Sequence, residues 1–98
     1  MQESFLQSSD ILDYQDMICS TLRQFFHFDG HTLYFPTTIE SNNPCYIARE
    51  HKLLIPLIIR RTMLGMLVLH KVRARSIKPI LPFLNKIIVQ ILENIAKS

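Results

Sequence analysis

The densest apolar run in the chain lies at residues 51–70, HKLLIPLIIRRTMLGMLVLH, and two arginines interrupt it at the middle. Read as one membrane-spanning helix, it would hold Arg60 and Arg61 at the bilayer centre, where each costs ~2.5 to 3.5 kcal/mol. Pro56, Gly65 and the β-branched Ile55, Ile58, Ile59 and Val68 also disfavour a continuous helix. Division at Arg61-Thr62 gives two strands of ordinary length, 53–60 and 63–72, joined as a hairpin. In the second strand Leu64, Met66 and Val68 alternate with Leu67 and Leu69, so both faces are apolar and both call for cover.

The flanking patterns have a different period. In SSDILDYQDMICSTLRQFFHF, Leu12, Ile18, Leu22, Phe25 and Phe26 recur near 3.6 residues and predict a helix over 9–28. Ser9 or Asp10 supplies the cap, and Asp10, Asp13 and Asp16 suit the positive N-terminal end. HTLYFPTTI, rich in β-branched and aromatic types, predicts a strand over 31–39. The following stretch is polar and turn-forming, with a short strand expected around Tyr46 and Ile47. In SIKPILPFLNKIIVQILENIAKS, Leu84, Ile88, Ile91 and Ile95 step by four, three and four residues and predict a helix over 79–97. Ser76 is its expected cap, with Pro79 and Pro82 in the first turn.

The fold class that follows is α+β, an antiparallel sheet with terminal helices. At 98 residues, 48% hydrophobic and 19% charged, the chain makes one folded domain. The net charge of +3 conceals a division: residues 1–50 carry −5 and residues 51–98 carry +8. Either the halves attract each other or the basic half meets something anionic. The cysteines, Cys19 and Cys45, have no zinc-ligand spacing, and the polar N-terminus lacks an apolar signal core. The expectation is a cytoplasmic protein with no metal and no cofactor.

Candidate chemistry is sparse. His27 and His31 flank Asp29 at an i, i+4 spacing, but Gly30 breaks the helix that would align them as metal ligands. Tyr34, Cys45, Tyr46 and His51 are the candidates for lining a small ligand pocket. Lys71, Arg73, Arg75 and Lys78 form a basic run in which the first three alternate along a strand face. No nucleophile–base–acid set and no phosphate-cradling glycine loop is visible, so no enzymatic activity is expected.

FHFDGHTLYFP resembles the helix-to-first-strand junction of GAF domains, LLIPLIIRRTMLGMLVLHK their late hairpin, and SIKPILPFLNKIIVQILENIA their C-terminal helix. The resemblance covers about residues 9–36 and 52–97 and rests on hydrophobic patterns. It implies a central antiparallel sheet with both terminal helices on one face and a ligand pocket under a lid on the other. It implies a regulatory module of bacterial signalling proteins, dimerising through the terminal helices and joined to an output domain such as a diguanylate cyclase or histidine kinase. Between Ile39 and Leu53 only thirteen residues stand where the family places further strands and the lid. That is too little for a full cofactor pocket and shifts weight toward self-association.

The expectation is therefore a non-catalytic regulatory module acting as a homodimer, with Leu84, Ile88, Ile91 and Ile95 at the interface. The chain stops within an amphipathic pattern with no capping glycine, so an output domain is expected beyond Ser98. Two other readings remain: a small nucleic-acid-binding protein using the basic second half, and a small-molecule sensor with a reduced pocket around Tyr34, Tyr46 and His51.

Overall fold

The computed structural model describes residues 6–35 and 42–97. It contains α1 (Ser8–Leu22), β1 (His31–Tyr34), β2 (Cys45–Ile47), β3 (Lys52–Ile59), β4 (Thr62–Leu69), α2 (Ala74–Ile77) and α3 (Leu81–Ala96). The strands form one antiparallel sheet in the order β1-β4-β3-β2, which confirms the α+β class.

The apolar run folds as the expected hairpin, shifted by one residue at its turn. Ile59 pairs with Thr62, leaving Arg60 and Arg61 as a two-residue loop. Both have positive φ, 52° and 66°, as a type I′ turn requires. Further along, Leu57 faces Gly65 while Ile58 faces Met63, so β4 carries Leu64 as an extra residue in a β-bulge. Pro56 is tolerated inside β3 because β2 pairs only as far as Leu54, and beyond it no described strand needs the missing N–H.

β4 ends at Leu69 rather than at residue 72, and Arg73 and Arg75 belong to the entry and body of α2. The basic run therefore does not alternate along a strand. Asp29 and Gly30 prolong the β1–β4 ladder: Asp29 N donates to His70 O at 2.9 Å, and His70 N donates to Gly30 O at 2.9 Å. Gly30 adopts φ 153°, a conformation side chains rarely allow. Of the strand expected over 31–39, residues 36–39 lie outside the described residues.

α1 stops at Leu22, six residues short of the expected end. Phe26 and Phe28 are both buried, their ring centroids 5.6 Å apart. Two residues apart they would point to opposite sides of a helix, so the chain leaves the helix to bury both. Arg23 lies over the Phe28 ring at 4.5 Å. At the other end the cap is Gln7, whose N–H donates to the Asp10 carboxylate at 2.8 Å. Asp10 thus serves as the reciprocal partner of a capping box rather than as the cap. Leu12 and Phe25 fall outside the apolar stripe and are about half exposed; Ile11 takes the place given to Leu12.

The last helix is also divided. Ser76 lies within α2, Pro79 in the turn after it, and α3 starts from Ile80 with Pro82 in its first turn. Ile11, Ile18 and Leu22 of α1 join Leu84, Ile88 and Leu92 of α3 and Ile77 of α2 in one core with Leu53, Ile55, Leu57, Leu67 and Leu69. α1 packs over β4 and β1, and α3 over β3, so both long helices cover the same face of the sheet.

Candidate functional site

The four ligand-pocket candidates are not brought together. Tyr34 and Cys45 stand on the two edge strands, separated by three strand spacings, roughly 14 Å. Tyr46 lies on the helix-covered face, where its hydroxyl donates to Val72 O at 2.7 Å. His51 occupies the β2–β3 turn at φ 54°, and its carbonyl accepts from Val72 N at 2.7 Å. Tyr46 and His51 therefore meet at Val72 as a clasp between that turn and the chain leaving β4. This is a structural role.

The cysteines differ in the same way. Cys45 is exposed and Cys19 is buried, both as free thiols. Burial pushes the Cys19 thiol up to about 11; Arg23 pulls it back and Asp16 adds to the rise. At neutral pH it is protonated and inert. His27 pairs with Asp29 at 3.1 Å, while His31 Nε2 meets Gln15 Oε1 at 3.0 Å instead of joining them. Among the described residues no group of three metal-ligating side chains converges.

The residues expected at a dimer interface lie within the core of a single chain. Leu84, Ile88, Ile91 and Ile95 are at most 8% exposed within a single chain, because the sheet and core take up the whole stripe. They have no free surface to offer a second copy. α3 instead exposes Phe83 and Val89.

The other face of the sheet is the larger unexplained feature. Facing residues in the ladders share a face, which places Thr32, Val68 and Leu54 in one row and Tyr34, Met66 and Pro56 in the next. Ile58 with Met63, and Cys45 beside Leu54, extend the same surface. A hydrogen bond of 2.8 Å between Thr32 Oγ1 and His70 Nε2 marks its end. Val68 and Pro56 are buried by their neighbours, whereas Leu54, Ile58, Met63 and Met66 are only partly covered. α1, α2 and α3 all bury their apolar residues on the opposite side, so among the described residues no helix lies over this face. The two-sided pattern of β4 was its one signal in the sequence.

The ion pairs His27–Asp29 and Glu50–Lys52 each join residues two apart in the chain. Lys71, Arg73, Arg75 and Lys78 are exposed, and none pairs with an acid among the described residues. No helix among them is long and apolar enough to cross a membrane. Comparison with family models, curated proteins and solved structures finds no match for the chain.

Proposed function

We propose that this domain is a non-catalytic regulatory module of a signal-transduction protein and works as a homodimer, joined through its open sheet face rather than through its terminal helices. The carrying observation is the apolar surface of Leu54, Pro56, Ile58, Met63, Met66 and Val68, left uncovered by the helices. It holds no charged side chain at its centre; Lys52 and His70 stand at its ends. Two copies can meet there without like-charge repulsion despite a net charge of +3.

The magnitudes favour a weak dimer. Fully burying a Leu, Ile or Met contributes ~1.5 to 3 kcal/mol, so completing the burial of four already mostly covered residues in each of two copies contributes at most roughly 4 to 8 kcal/mol. Lost translation and rotation oppose this by ~4 to 15 kcal/mol. The terms are comparable, so the dissociation constant falls at micromolar order or weaker. Such a dimer forms and separates readily, as a regulatory element requires.

The resemblance to GAF domains supports the regulatory part: both long helices lie on one face, and no described helix covers the other. The output partner on this reading is a diguanylate cyclase or histidine kinase domain in the same full-length chain. Mass measurement in solution at about 100 μM is the test, a range in which weak dimers assemble. A monomer there would end the dimer reading. A reading frame that closes directly after Ser98 would remove the output domain.

One observation favours a second reading. The four exposed cations at 71–78 form a knuckle with no acidic partner among the described residues, which suits a polyanion. If all four meet phosphates, the log–log salt slope is roughly −3.6. Absence of any mobility shift with DNA or RNA at low salt would exclude this reading.

A further inference from the structure

The hairpin turn is built against conformational preference. A two-residue type I′ loop places both residues at positive φ, which is why Asn-Gly is the ordinary choice. Here Arg60 and Arg61 hold those positions at φ 52° and 66°. Every L side chain except that of Asn or Asp meets steric opposition there. Backbone strain of this kind gathers at functional sites.

Around the turn lies a cleft of about 450 Å³ lined by Asn42, Ile58, Arg60, Arg61, Met63, Asn85 and Val89. Its size lies within the range of small-molecule sites. The lining divides by chemistry: two guanidinium groups and two carboxamides, with Ile58, Met63 and Val89 as an apolar floor. No carboxylate lines it among the described residues. Asn85 is positioned by its hydrogen bond to Asn43 Oδ1 at 3.4 Å. A shallower depression continues along α3 past Lys86 and Gln90, adding a further cation.

We propose that this cleft binds a small amphipathic anion, a phosphate or carboxylate on a short apolar body, with Arg61 holding the anion and Ile58, Met63 and Val89 the apolar part. Arg61 presents a planar fork of donors suited to such oxygens. The strained turn is kept because an Asn-Gly turn would fold more easily but would have no cation to offer. The cleft shares Ile58 and Met63 with the open sheet face, so binding and self-association compete for these two side chains, whereas Met66 lies outside the cleft lining.

Octyl phosphate below its micelle concentration is the probe, with 1-octanol as its uncharged counterpart, both titrated calorimetrically. We expect saturable one-to-one binding of octyl phosphate, at least tenfold tighter than octanol. Arg61→Gln should weaken it about tenfold, as loss of one charge-assisted contact implies. Arg60→Asn with Arg61→Gly should lose the same binding while raising Tm on the order of 5 °C, which separates a lost site from a lost fold. Met66→Lys, which leaves the cleft lining intact, should bind at least as tightly as the wild type, so failure of the dimer reading leaves this result intact. Equal affinity for octanol, undiminished binding by the Asn-Gly variant, or binding to phosphatidylglycerol vesicles with none to octyl phosphate would each overturn the proposal.

Discussion

The two faces of the β3–β4 hairpin are almost equally apolar in sequence and have opposite surroundings in the structure. Leu53, Ile55, Leu57, Leu67 and Leu69 point under α1 and α3, while Leu54, Pro56, Ile58, Met66 and Val68 alternate with them on the side that no described helix covers. The first set is fully buried by the chain itself; of the second, Pro56 and Val68 are buried while Leu54, Ile58 and Met66 are covered only in part. Hydropathy alone does not distinguish a residue buried by its own chain from one that waits for a second molecule. The types do differ in one respect: Met63 and Met66 are both on the open face. Methionine adapts its shape to what meets it, which suits a surface that must pack only part of the time.

The comparison breaks most sharply under a buried charge. Leu67→Lys places an ammonium in the helix-side core, where Leu67 is 1% exposed, and we expect the chain not to fold. Met66→Lys, one residue away on the other face, should leave the fold intact and abolish the dimer. Circular dichroism on both variants, with mass in solution for the second, checks the pair. Ile91→Lys with Ile95→Lys belongs with the first class. Both residues serve the core, so we expect unfolding rather than a folded monomer. A folded monomer would restore the dimer through the terminal helices.

Truncation gives a milder form of the same contrast. Leu84→Ala removes a fully buried side chain and should cost ~2 to 5 kcal/mol by urea denaturation. Leu54→Ala, partly covered on the open face, should cost under about 1.5 kcal/mol measured on the monomer. Its larger effect should appear in the association constant. Equal losses in the two variants would mean that something covers both faces within one chain.

These contrasts also show what could be read from the sequence. The hairpin was legible because Pro56, Gly65 and the β-branched residues all disfavour the helical alternative, and Arg60-Arg61 marks the turn. The α+β class followed from it and from two patterns of helical period. Helix ends were less legible. α1 stops where Phe26 and Phe28 must both be buried, a tertiary demand that prevails over local periodicity. The site was the least legible part. An apolar stripe on a helix shows that Ile91 and Ile95 need cover, but not whether sheet or partner provides it. The Tyr46–Val72–His51 clasp joins residues more than twenty apart, which only the folded chain reveals.

The two thiols carry the comparison into chemistry. Cys45 is exposed beside the open face and Cys19 is buried under the other. Iodoacetamide at pH 8 should modify Cys45 promptly and Cys19 only after denaturation. The raised Cys19 value also predicts alkaline lability. Folding holds its thiol at about 11 against an ordinary 9.0, so above pH 9 the unfolded chain loses this proton first. The native state then binds more protons than the unfolded one, and stability falls as pH rises from about 9 to 11. Cys19→Ala should be less stable at neutral pH and should lack this slope. An identical slope in the variant would assign the alkaline effect to other groups.

The smallest expected effect lies at Gly65, on the covered face of β4. A Cβ there meets Leu33 Cδ1 and Phe35 Cε1, each at 3.3 Å, closer than comfortable contact but against the ends of side chains rather than backbone. Phe35 is 45% exposed and has room to swing aside. Against that crowding, alanine restricts the unfolded chain and stabilises by ~0.4 to 1 kcal/mol where the native backbone accepts it. The two effects nearly cancel, so Gly65→Ala should change the urea midpoint by less than about 0.5 kcal/mol equivalent, with a stabilising sign if Phe35 yields. Gly65→Val adds two methyl groups that this displacement cannot accommodate, and overpacking should cost ~1 to 3 kcal/mol. Measuring both tests how tightly the covered side is packed. If valine is tolerated as well as alanine, the core under α1 is looser than the contacts of Leu33 and Phe35 indicate, and the contrast between the two faces is one of degree.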